Sequence, residues 1–182
     1  MNNIVFIGCD STLTESNIVL FGAPFDGTTS FRPGTRFAPN VIRMDSDGIE
    51  TYSPYQEEEL ESKLVHDIGD AEITFGNTSK TMEYLYNFSK DIVKQDKKLF
   101  MIGGEHLVSY APIKALYEKY NDLRIIHFDA HTDLRDDYLG EKLSHATVMK
   151  RVSDLLGPNR LYQFGIRSGL QAEFEFAENN HY

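Results

Sequence analysis

A parallel α/β architecture, with helices on both faces of the sheet, is what this 182-residue sequence predicts. Two features carry the prediction. Short apolar runs of strand length, bounded by Gly, Pro and polar residues, alternate along the chain with longer stretches whose apolar residues recur at helical spacing. Two of the runs, Leu99-Phe-Met-Ile102 and Ile125-Ile-His-Phe128, empty directly into His, Asp and Glu. Open α/β sheets keep their sites just outside the carboxyl ends of their strands.

Ile18-Val-Leu-Phe-Gly22 reads as the first core strand. The stretch from Ala23 to Pro39 has the Gly and Pro punctuation of a loop, and its Arg32 and Arg36 either pair with acidic neighbours or border an active-site mouth. Pro39 then opens a helix through Val41, Ile42 and Met44. Glu50 to Ser62, rich in Glu, is a solvated segment, and Leu64 to Gly69 is a strand with a structural histidine, His66, inside it. From Thr78 to Lys98, Met82, Leu85, Tyr86, Ile92 and Val93 recur at helical spacing, with Lys94, Lys97 and Lys98 suited to the carboxyl end.

Leu99 to Ile102 is the next buried strand, and Gly103 and Gly104 after it allow a tight turn and close backbone approach. Ile113, Leu116, Tyr117 and Tyr120 mark a helix packed back onto the sheet, with Pro112 in its first turn or kinking it. Ile125 to Phe128 reads as a strand buried on both faces. Strand, helix, strand is expected to set it beside Leu99 to Ile102 at the usual spacing of about 4.8 Å. Ser144 is the N-cap of a helix through Val148, Val152, Leu155 and Leu156 that Gly157 and Pro158 terminate. Arg160 to Gly165 is a fifth strand and Gly169 to Asn179 a last helix. No internal repeat or linker divides the chain, so one domain over residues 1–182 is expected.

Composition narrows the function classes. A net charge of -10 gives no reason to expect nucleic acid or an anionic membrane as partner, and favours cationic ligands. The single cysteine, Cys9, rules out an internal disulfide framework and fits a reducing compartment. With no signal-like amino terminus and no run of membrane-spanning length, a cytoplasmic location is expected.

The chemistry concentrates after two strands. Asp129, His131 and Asp133 stand at alternate positions, which in an extended segment point to one side, so two carboxylates and an imidazole converge. A polar turn with Asp129 as a cap and His131 exposed is the alternative. Gly103-Gly-Glu-His106 lacks the Gly-Lys-Ser/Thr ending of a phosphate loop, and carries Glu105 and His106 to the same edge. His127 alternates with Phe128 and reads as a buried strand histidine. His145 falls in the first turn of a helix, where a neutral imidazole could accept or relay a proton, and an exposed helix residue is the other reading. Asp136, Asp137 and Glu141 are either solvated or line the mouth of a cation pocket.

Gly103-Gly-Glu-His106, Phe128-Asp-Ala-His-Thr-Asp133 and Ser144-His-Ala-Thr147, in this order, resemble the ureohydrolase superfamily, and agmatinases within it more closely than arginases. The run Gly22-Ala-Pro-Phe-Asp-Gly27 through Arg32-Pro-Gly34 to Ile42-Arg43 resembles that family's amino-terminal pattern. The resemblance implies a three-layer α/β/α sheet of the arginase type, with a binuclear manganese site at its carboxyl edge. It carries His106, Asp129, His131 and Asp133 over as four of six metal ligands, and His145 as the proton-shuttling residue of the substrate pocket. Mixed oxygen and imidazole donors without thiolate suit manganese, though zinc, iron or cobalt also accept them.

The implied reaction is hydrolysis of a small cationic guanidino compound, agmatine to putrescine and urea, by a hydroxide held between two metals about 3.5 to 4 Å apart. Arginase, guanidinobutyrase and formimidoylglutamase are the enzyme alternatives, and Arg135 or Lys142 could anchor the carboxylate their substrates carry. The family also implies a homo-oligomer, trimer or hexamer. One departure stands out. A later Asp-x-Asp pair and a guanidinium-gripping glutamate have no counterpart after Asp154, where Glu173, Glu175 and Glu178 lie on a helix face. The sheet is therefore expected to be cut short on its carboxy-terminal side, and the chain alone to bind metal weakly without meaningful turnover. A non-catalytic binding or regulatory subunit is the alternative of a different class.

Overall fold

The computed structural model describes residues 4–180. Its central strand is β1 (Ile18–Ala23), paired in parallel on one side with β4 (Val65–Asp70) and on the other with β5 (Lys98–Gly103). Between β1 and β4 come α1 (Ala38–Ser46) and a short antiparallel hairpin of β2 (Tyr52–Ser53) and β3 (Glu58–Glu59). The chain continues through α2 (Thr78–Val93) into β5, then through α3 (Tyr110–Lys119), β6 (Ile125–Phe128), α4 (Val148–Leu156), β7 (Leu161–Phe164) and α5 (Gln171–Asn180). No helix among the described residues is long and apolar enough to cross a membrane.

Alternation along β1 sorts the layers. Val19, Phe21 and Ala23 are fully buried against α2, α3 and α4, in a cluster with Leu85, Ala111, Val148 and Val152. Leu20, on the opposite face, packs with Cys9 and Val65 in a second cluster. That second face is closed by α1, whose buried Arg43 makes a two-pronged ion pair with Asp67 (2.7 and 2.9 Å) and reaches Asp70 at 2.5 Å. A fork so paired can be buried because each nitrogen meets a carboxylate oxygen.

Several expectations are revised. The acidic segment at 50–62 is solvated as expected but also forms the β2–β3 hairpin, and α2 ends at Val93 because the chain must turn to bring Lys98 into β5. More consequentially, β5 and β6 are not neighbours: β6 pairs in parallel with β7, as a separate two-stranded sheet. A crossover helix permits adjacency without requiring it. Nor are β5 and β6 buried on both faces, since Phe100 is 58% exposed, Ile126 64% and Phe128 79%. α1 packs over β1 and β5 and its Arg43 reaches β4, yet these side chains stay largely exposed among the described residues. Phe128 leans on Phe164 of β7 instead, with ring centres 5.5 Å apart.

Candidate metal centre

A cleft of about 480 Å³ opens at the carboxyl ends of β5 and β6, bordered by His106, Asp129, His131, Asp133 and His145 together with Ser30, Phe31, Tyr138 and Glu173. Parallel strands deliver successive loops to one end, which is why residues distant in sequence meet there. Close backbone approach begins the construction. A side chain at Gly104 would put its Cβ 1.9 Å from the carbonyl oxygen of Phe25, so only glycine lets the loop after β5 lie against the loop after β1. The Gly104 and Glu105 amides donate to the Ala23 and Phe25 carbonyls (2.9 and 2.7 Å). Glu105 then caps the 3-10 turn His106–Ser109, accepting from the Leu107 amide at 2.8 Å, and this aims His106 into the cleft.

Asp129 and Asp133 come from the loop after β6. His106 Nδ1 lies 2.6 Å from Asp133 Oδ2 and 3.6 Å from Asp129 Oδ2. The tightest group of ligand-type atoms, all within 4.8 Å of one another, belongs to His106, His127 and Asp129. Asp133 joins that group through His106, and His131 through Asp129, whose Oδ1 is 3.2 Å from its Nδ1. His131 is the outlying member, with its side chain 63% exposed to the cleft.

His127 is buried, as its strand position predicts, but its ring also enters the centre: Nε2 lies 3.3 Å from Asp129 Oδ2. Gln163 Nε2, a donor that also bonds the Thr132 carbonyl at 2.8 Å, stands 2.9 Å from His127 Nδ1. His127 Nδ1 therefore accepts, its proton sits on Nε2, and Asp129 receives it. Burial pushes the His127 pKa down, and the neighbouring His106 ring adds to that. For Asp129 burial pushes upward, but the His131 amide and the nearby His106 and His127 outweigh it, leaving the carboxyl below its ordinary value.

His145 reaches the cleft from the other side. Ser144 and Thr147 form a reciprocal capping box around the 3-10 turn His145–Thr147, which leads into α4. The His145 amide donates to Thr28 Oγ1 at 3.1 Å, and that hydroxyl donates to Glu105 Oε1 at 2.5 Å. Its ring meets Tyr138 edge-on at 5.4 Å, Nε2 lies 3.4 Å from Ser30 Oγ, and Nδ1 is buried without a hydrogen-bond partner.

Other expectations shift. Arg36 pairs with the buried Asp26, and Arg32 stacks on Phe31 at 5.1 Å beside the cleft. Asp136 and Asp137 lie outside the cleft, Asp136 paired with Lys150 at 3.4 Å. Arg135 points to Glu173 (3.5 Å) and lies over Tyr138 (5.1 Å). Thr28, Ser30 and Glu173 have no motif to announce them. Their one sequence signal is position: Thr28 and Ser30 follow the first core strand, and Glu173 opens the last helix.

The donor set at the centre is imidazole nitrogen and carboxylate oxygen without thiolate, which fits a divalent cation of the manganese type. Comparisons with known proteins agree in family. The model of the Arginase family matches residues 16–182. The agmatinase of Bacillus subtilis strain 168 is 47% identical over 176 residues, which are 97% of this chain and 61% of that protein. The agmatinase of Bacillus cereus is 48% identical over 174 residues, 96% of this chain and 60% of its own length. The crystal structure of agmatine ureohydrolase from Thermoplasma volcanium superposes with a TM-score of 0.89 at 31% identity, covering 96% of this chain and 58% of that one. The chain thus spans about three fifths of the length of these relatives. A match that runs from just before the first core strand to the last residue, over the same ordered motifs that build the cleft, makes this chain a member of the arginase family.

Proposed function

We propose that this chain carries the first part of a manganese-dependent agmatinase site, and that the whole protein hydrolyses agmatine to putrescine and urea. The observation that carries the proposal is the convergence of His106 Nδ1 with the carboxylates of Asp129 and Asp133. His106, Asp129, His131 and Asp133 would hold the metal. Manganese, when bound, supplies the Lewis acidity that makes hydroxide available near neutral pH. A guanidinium carbon is a weak electrophile, so a stronger nucleophile than water is needed. His145 is suited to hold and deliver the proton that the departing amine requires, because its Nδ1 is buried and unengaged while Nε2 sits beside Ser30.

Substrate preference follows from charge. Agmatine is a cation without a carboxylate, so it asks for no basic anchor in a cleft whose Asp129 and Asp133 are committed to the metal. Arg135, the residue best placed to anchor a carboxylate, is turned to Glu173 and Tyr138. That favours agmatine over arginine or 4-guanidinobutyrate. The test is metal content and urea release on all three substrates, for the 182-residue chain and for any longer product of its gene. Bound manganese, with agmatine turned over fastest by the longer product, is expected. No metal and no urea from either overturns the proposal.

A further inference from the structure

We propose that Glu173 is a positioning residue for the metal-ligand loop, holding Asp133 in the backbone conformation that aims its carboxylate at His106. This rests on the metal-site reading above. Asp133 has a φ of 51°, in the left-handed region, which is unfavourable for an L residue even though Asp tolerates it better than most. Such a residue persists when its surroundings over-determine it. One clamp is its own carbonyl, which accepts from the Met149 and Lys150 amides (3.0 and 3.1 Å) in the first turn of α4.

Glu173 is the second clamp, and it acts on both neighbours of Asp133. Its Oε1 accepts from the Thr132 hydroxyl at 2.6 Å and from the Leu134 amide at 3.0 Å. The carboxylate is 4% exposed, and Thr132 is 1% exposed, so water does not stand in for either partner. Its Oε2 does a different job: it accepts from the Leu170 amide at 2.7 Å, closing the first turn of α5, and lies 3.5 Å from Arg135 Nε. A carboxylate whose only role is to cap a helix needs one oxygen. The other is committed to residues 132 and 134, the two that flank Asp133.

This division of the two oxygens provides separable variants. Thr132→Val keeps shape and leaves the α5 cap intact while removing the hydroxyl that reaches Oε1. Glu173→Gln places an amide NH2 where one set of N–H or O–H donors must be accepted. Glu178→Gln changes the same charge on an exposed position of α5 and serves as the control. Mn2+ and Co2+ titrations of each chain give Kd, the Co2+ visible spectrum reports ligand geometry, and urea unfolding of the metal-free chains reports stability. Loss of an outer partner of a ligand weakens metal binding by about tenfold or more.

Thr132→Val and Glu173→Gln are expected to raise Kd by about that factor and to alter the Co2+ spectrum, with Glu178→Gln unchanged. If Glu173→Gln does not fold, Thr132→Val decides. A loss of stability with Kd and spectrum equal to wild type means a structural role only and overturns the proposal. Where only the longer product of the gene binds metal, the same variants are titrated in it; failure of both the wild-type chain and that longer product to bind either metal overturns the metal-site reading, and the present inference with it.

Discussion

Replacing Thr28 by Val removes a single hydroxyl that joins three segments of the cleft, and its cost can be worked from the structure. The Thr28 hydroxyl donates to the carboxylate of Glu105, at 2.5 Å, and accepts from the amide of His145, at 3.1 Å. Val matches Thr in shape, so the cavity contribution is small. A hydrogen bond to a charged group contributes about 1.5–3 kcal/mol and a neutral one about 0.5–1.5 kcal/mol. Thr28 is half-buried, which lets water recover part of the loss, whereas Glu105 is 6% exposed and, among the described residues, keeps the Leu107 amide at 2.8 Å. The net expectation is a destabilisation of roughly 2 kcal/mol, against a total of about 5–15 kcal/mol for a domain.

Urea denaturation is the assay, with an unchanged m-value as the condition for comparing midpoints. Thr28→Ser keeps the hydroxyl and is expected to recover most of the stability. A double-mutant cycle with Glu105→Gln should show coupling, because both changes break the same bond. Thr28→Val within about 0.5 kcal/mol of wild type would refute the reasoning, since surface substitutions alone account for effects of that size.

Two further outcomes can be checked on the same chain. Asp26 bonds the Arg36 guanidinium, which holds its carboxyl below the ordinary range against the opposing push of burial, with the Gly34 amide assisting at 2.7 Å. A depressed folded pKa contributes stability above the unfolded value, near 3.9, that is lost as pH falls. The difference in Tm between wild type and Asp26→Asn should therefore be level near neutrality and shrink on acidification through about pH 4, and a difference that widens there would contradict the assignment. Cys9 is 3% exposed, and burial, with Asp67, Asp10 and Glu61 adding to it, pushes its thiol up to about 11. Alkylation at pH 8 should run about two orders of magnitude slower in the native chain than in urea, and equal rates would show that the thiol is accessible.

Much of the fold is legible because it is local. The helices follow from the spacing of residues such as Met82, Leu85 and Ile92, and β1 from an uninterrupted apolar run that the sheet buries on both faces. Ser144 is readable as a cap because capping needs only the next three residues. His106 and Asp129 are readable as candidates because each lies just past the end of an apolar strand, His106 three residues after β5 and Asp129 immediately after β6. The same logic misjudges β5 and β6. Their pattern records apolar character, but which strand pairs with which depends on parts of the chain far away, and the edges of both remain open among the described residues.

Residue type and spacing thus determined, by themselves, an α/β chain with imidazole and carboxylate donors at the ends of its strands, since periodicity and backbone direction are properties of neighbouring residues. Only the tertiary structure decided what surrounds those donors. His145 meets Thr28 from 117 positions away, His127 turns out to share Asp129 with His106, and Glu173, an unremarkable helix residue in the sequence, is buried against Thr132 and Leu134. Hydrogen bonds are short-ranged and directional, so their partners exist only once distant segments have been brought within about 3 Å of each other.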